Sequence, residues 1–148
     1  LACLSLSLHA WEISSSAIVN EDGSLRISGK TIHLYGIYIP QTERTCKSYR
    51  QPPVCGSRAA VALEFKIAGF VRCDIRDRQE DGSLIGWCRV NASAFAEGED
   101  LSAYLLQQGW AVALPDAPFE YQTLENIARN RSIGVWCIPV DNVIRRRR

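Results

Sequence analysis

The side chains with the most distinctive chemistry in this sequence are its six cysteines, which stand beside only two histidines, His9 and His33. Zinc sites are built from Cys and His at short, fixed spacings. No C-x-x-C pair occurs here, so a zinc centre is not expected. The other use of so many thiols in 148 residues is cross-linking, and disulfides imply an oxidising compartment. The densest charge cluster is the run Arg145, Arg146, Arg147 and Arg148. Four guanidinium groups can grip phosphate or an acidic partner, although the plain reading of such a run is a solvated tail.

The bulk numbers narrow the class. A chain of 148 residues makes one domain, and 47% hydrophobic with 22% charged residues is the composition of a globular protein. Seventeen basic against sixteen acidic residues give a net charge of +1, which argues against strong nonspecific nucleic-acid binding. Residues 1–10 resemble the end of a secretory hydrophobic region, with the alternation Leu4, Leu6, Leu8 as its alternative reading as a first strand. No later stretch is long and apolar enough to span a bilayer. The domain reading is therefore 1–10 as a signal remnant, 11–140 as the folded domain and 141–148 as a basic tail.

The elements follow from periodicity. Residues 11–40 read as strands, broken by the turns Asn20-Glu21-Asp22-Gly23 and Ser28-Gly29-Lys30 and ended by Pro40. Residues 41–53 are polar, hold two prolines, and read as a loop. A helix is expected over 57–68, ending at Gly69, and strands over 70–76 and 84–90 around a turn at Asp81-Gly82. Asp100 caps a second helix that stops at Gly109. A third runs over 118–131 with Tyr121, Leu124, Ile127 and Ala128 on one face. No internal repeat is expected. Three strands, a helix, two strands and two further helices predict an α+β fold, a five-stranded OB-fold barrel with about three packed helices.

On this frame the chain resembles the thermonuclease family, the staphylococcal-nuclease-like domains, over most of residues 16–136. Asp22-Gly23-Ser24-Leu25 matches the family's D-G-D-T turn, and the stretch from His33 through Gly36-Ile37-Tyr38 to Pro40-Gln41 matches R-L-x-G-I-D-x-P-E. Cys55-Gly56-Ser57-Arg58 matches the helix entry, and Glu80-Asp81-Gly82-Ser83 with Gly86-Trp87 matches D-R-Y-G-R-x-V-A. Asp100-Leu101, Gln108-Gly109-Trp110-Ala111 and Ile133-Gly134-Val135-Trp136 complete the series in the family's order. The cysteines agree with an exported bacterial subset of that family, which implies a periplasmic or extracellular protein. Cys73 and Cys88 flank a turn on adjacent strands and can face each other across the hairpin. Cys46 and Cys55 bracket the proline loop and can close a short ring. Cys3 and Cys137 either pair or stay as buried thiols.

The resemblance implies a fold and removes its chemistry. Phosphodiester hydrolysis in the family needs a cation held by carboxylates, a carboxylate that activates water, and arginines on the developing charge. The metal-holding positions are Ser24 and Tyr38 here, with Asp22 as a remnant. The general-base position is Gln41, whose amide cannot accept a proton, and the arginine positions are His33 and Ser83. The expectation is a catalytically degenerate, non-enzymatic exported binding or structural module, monomeric and without a cofactor. Its binding residues would be His33, Tyr35, Tyr38 and Gln41, and its partner an oligosaccharide, a protein or an oligonucleotide on the strand face. The alternative is a divergent calcium-dependent nuclease reassembled from Asp22, Glu43, Arg76 and Arg78.

Overall fold

The structure, a computed structural model, describes residues 11–42, 45–47 and 54–137, with 45–47 and 54–55 described by their backbone alone. Its strands are β1 (Glu12–Val19), β2 (Leu25–Ile27), β3 (Lys30–Leu34), β4 (Ile37–Tyr38), β5 (Thr45–Lys47) and β6 (Val54–Gly56), then β7 (Phe70–Arg78), β8 (Leu84–Val90), β9 (Glu99–Asp100) and β10 (Val112–Ala113). The helices are α1 (Arg58–Lys66), α2 (Leu101–Gln107) and α3 (Phe119–Asn130), followed by a short 3-10 turn at Gly134–Cys137.

A closed, five-stranded mixed barrel forms because the apolar residues alternate along each strand. In β8, Leu84, Gly86, Cys88 and Val90 point inward and the residues between them outward. Ile32 and Leu34 of β3, Leu25 and Ile27 of β2, and Val71 and Cys73 of β7 meet them in one core. The strands pair in the order β3-β2-β1-β7-β8, and a parallel β3–β8 pairing, Ile32 opposite Leu84 and His33 opposite Ile85, closes the ring. The fold is therefore the α+β, OB-like barrel expected from the sequence. Each fully buried Leu or Ile stabilises it by roughly 1.5–3 kcal/mol.

The helices cover the barrel's open sides. Ser57 caps α1 by accepting the Ala60 N–H, and its own N–H donates to the Glu21 carbonyl, so the helix start is tied to the β1–β2 turn. Asp100 caps α2 by accepting the Ser102 and Ala103 N–H groups. Its other carboxylate oxygen accepts the Trp87 indole N–H and the Tyr121 hydroxyl, joining β8, α2 and α3 at one side chain. Burial and that hydrogen bond to a carboxylate push the Tyr121 phenol's pKa far up.

Four expectations are corrected. The segment 41–53 is not wholly loop, since β5 pairs antiparallel with β6. Glu125, not Ile127, belongs to the buried stripe of α3: Ile127 is exposed, while Glu125 accepts the Ala113 N–H at 3.0 Å. Residues 121, 124, 125 and 128 follow helical spacing, so geometry overrode polarity there. Cys137 is an exposed free thiol rather than a buried or paired one. A short repeat also exists: Glu21-Asp22-Gly23-Ser24-Leu25 recurs as Glu80-Asp81-Gly82-Ser83-Leu84. Cys73 and Cys88, opposite each other on β7 and β8, form the disulfide expected of them. Cys46 and Cys55 are register partners on β5 and β6, but their side chains lie outside the described residues, as do Cys3, Glu43 and the arginine tail. Among the described residues no helix is long and apolar enough to cross a membrane.

Candidate ligand cleft

The recurring pentapeptide, preceded by Asn20 in one copy and Gln79 in the other, builds two matching turns. In the first, the Asn20 N–H donates to the Ser24 carbonyl at 2.8 Å and the Gly23 N–H to the Asn20 carbonyl at 3.0 Å. In the second, Gln79 and Ser83, then Gly82 and Gln79, make the same two bonds at 2.8 and 3.0 Å. Gly23 and Gly82 hold φ of 89° and 88°, a left-handed conformation that favours glycine. Asp22 Oδ1 accepts the Ser24 N–H at 2.9 Å and the Ser24 hydroxyl at 2.6 Å. Asp81 Oδ1 accepts the same pair from Ser83 at the same two distances.

These turns are the β1–β2 and β7–β8 connections, and β3 runs between them with His33 facing outward. Two adjoining cavities open there and share Asp22 and His33. One, of about 380 Å³, is lined by Ser24, Tyr38, Gln41 and Gln79, among others. The other, of about 530 Å³, is lined by Lys30, Thr31, Asp81 and Ser83. Tyr38 is held at the first cavity by β4–β10 pairing, in which it faces Val112, and Leu114 beside it donates its N–H to the Gly36 carbonyl.

The fold thus brings Asp22, Ser24, His33, Tyr38 and Gln41 to one cavity and Ser83 to its neighbour. Tyr35 is set apart from both. Its carbonyl accepts the Ser102 hydroxyl at 2.8 Å, and the Arg76 guanidinium lies 5.5 Å from its ring centre. Arg76 also stacks on Trp87, and Arg78 on Trp11, so neither arginine lines the two cavities. Sequence reasoning overlooked Lys30, Thr31, Gln79 and Asp81 as cleft residues. The signal available for Asp81 was the recurrence of E-D-G-S-L at a second turn, with Gln79 just before it.

The electrostatics of the cleft are modest. Partial burial raises the Asp22 pKa, but the Ser24 hydroxyl and amide and the nearby His33 outweigh it and leave the carboxyl below its ordinary value. Asp81 is also lowered, chiefly by the Ser83 hydroxyl and amide. A calcium ion takes six to eight oxygens, several of them carboxylate. In the first cavity Asp22 is the lone carboxylate among the described lining residues, and its Oδ1 already accepts two hydrogen bonds. Serine, tyrosine and glutamine supply the remaining oxygens, so these residues do not fit a calcium site. Among the described residues no group of three His, Cys, Asp or Glu side chains is gathered as a metal site.

No protein-family model matches the chain, and no curated protein matches it.

Proposed function

We propose that this chain is a non-enzymatic, thermonuclease-like barrel, an exported module that binds a ligand in the cleft between its two matching turns. The single observation that carries this reading is the state of Asp22. Its Oδ1 is engaged by the Ser24 hydroxyl and amide, while a phenol, an amide and hydroxyls supply the other oxygens of its cavity. Small barrels of this architecture bind ligands on the strand face flanked by these connections, which supports a binding role. The family resemblance rests on motifs in order along the sequence, and the OB-like barrel is compatible with it. The Cys73–Cys88 disulfide agrees with an oxidising compartment and hence with export.

The reading is tested by titrating the isotope-labelled chain with calcium and a nucleoside bisphosphate while following backbone amide resonances. Amides at Asp22, Ser24, Tyr38 and Gln41 should stay in place. Saturable shifts there that require both ligands would contradict a non-enzymatic cleft.

A further inference from the structure

We infer that the cleft takes a neutral saccharide, gripped through its hydroxyl groups between the Asp22 and Asp81 turns with His33 between them. The inference rests on the reading of the chain as a binding module. Because Asp22 and His33 border both cavities, the two openings are halves of one cleft, and each lies in the size range of small-molecule sites.

The two turns present equivalent acceptors. In each, the serine hydroxyl and amide fix Oδ1 and so set the carboxylate's orientation. No hydrogen bond among the described residues uses Oδ2 of Asp22 or Asp81, which leaves a fixed anionic acceptor at each edge of the cleft. Sugar hydroxyls are good donors to such an oxygen, and charge-assisted hydrogen bonds are the stronger kind. The sugar's own oxygens would meet the donors Lys30, Thr31 and the Gln41 amide. Tyr38, Ile39 and Leu114 supply an apolar wall for the C–H face of a pyranose ring.

Charge disfavours the other ligand classes. A phosphate-rich chain would meet a carboxylate at both edges with Lys30 as the one lysine or arginine among the described lining residues. A polyamine would meet Lys30 and His33 between those carboxylates. A mixed donor and acceptor set with little net sign matches a neutral polyol.

The test uses the full chain in calorimetric titrations with neutral gluco-, galacto- and manno-tetrasaccharides, with single-stranded DNA and spermine as charged controls. At least one neutral tetrasaccharide should bind, and both Asp81→Asn and Gln41→Ala should weaken it about tenfold or more. Both residues are exposed, and thermal melts establish that each variant folds. Should Asp81→Asn fail to fold, Gln41→Ala alone decides the point. Absence of tetrasaccharide binding at millimolar concentration overturns the inference, as does equal binding by the variants or binding of charged probes alone. Calcium-dependent DNA cleavage by the same preparation would instead overturn the parent reading, so the two failures are distinguishable.

Discussion

Ser24 and Ser83 each orient the aspartate two residues before them, and this small motif decides what the cleft can do. Ser24 is buried, and its hydroxyl both donates to Asp22 and accepts from the Asn20 amide at 2.9 Å. Ser24→Ala should therefore cost about 1 kcal/mol in urea unfolding, the worth of an ordinary hydrogen bond. The lowered aspartate pKa values carry a pH signature. A carboxyl whose folded pKa is depressed stabilises the fold above its unfolded pKa and loses that contribution as pH falls through the folded value. Stability should thus be insensitive to these groups at neutral pH and decline below pH ~4. The double variant Asp22→Asn and Asp81→Asn should show a shallower acid limb in a stability-versus-pH series, and an unchanged limb would refute their contribution. At this scale the resemblance of short motifs to the thermonuclease pattern singled out Asp22, Ser24, His33, Tyr38 and Gln41, and these residues line one cavity. Tyr35 instead packs against the core, with Ser102 bonded to its carbonyl and Arg76 over its ring, and such long-range contacts leave no local pattern.

Asp100 shows how one residue can join several elements. It caps α2 and also holds the indole of Trp87 on β8 and the hydroxyl of Tyr121 on α3. Asp100→Ala removes a cap and leaves a buried phenol without its acceptor, so it should cost about 2–4 kcal/mol. Asp100→Asn retains an acceptor oxygen for the cap but sets an amide N–H₂ against the Trp87 indole N–H and the Tyr121 hydroxyl, so it should recover only the capping share, about 1 kcal/mol. Denaturant midpoints of the two variants check this, and equal losses would contradict the capping role. The Cys73–Cys88 bond closes a separation of 15 residues. Replacing both cysteines by alanine should cost about 3 kcal/mol by the loop-entropy relation, read from the same unfolding curves. Strands and caps were legible because alternation and capping residues are local signals. The β5–β6 pairing was hidden by a polar, proline-containing segment. The burial of Glu125 was hidden because its role is to accept the Ala113 N–H from a strand distant in sequence.

At the scale of the whole molecule, the order of strands and helices in the sequence is that of a small barrel, and the β3–β8 pairing that closes the ring buries the apolar face of its five alternating strands. Function was less legible, since it depends on which donors two distant turns bring to a shared cavity. A net charge of +1 gives a near-neutral molecule little global field to steer polyanions. Loss of one electrostatic element typically costs an enzyme ~10²–10³-fold, and on the proposed thermonuclease-like reading the cation, base and arginine positions all carry other residues here. The most direct test of the account is a calcium-supplemented nuclease assay on single-stranded DNA. The unaltered chain should be run beside a variant carrying Ser24→Asp, His33→Arg, Tyr38→Asp, Gln41→Glu and Ser83→Arg. The account predicts no calcium-dependent cleavage by the unaltered chain, with any gain confined to the substituted one. Digestion of DNA by the unaltered chain at the rate of an ordinary nuclease would contradict it.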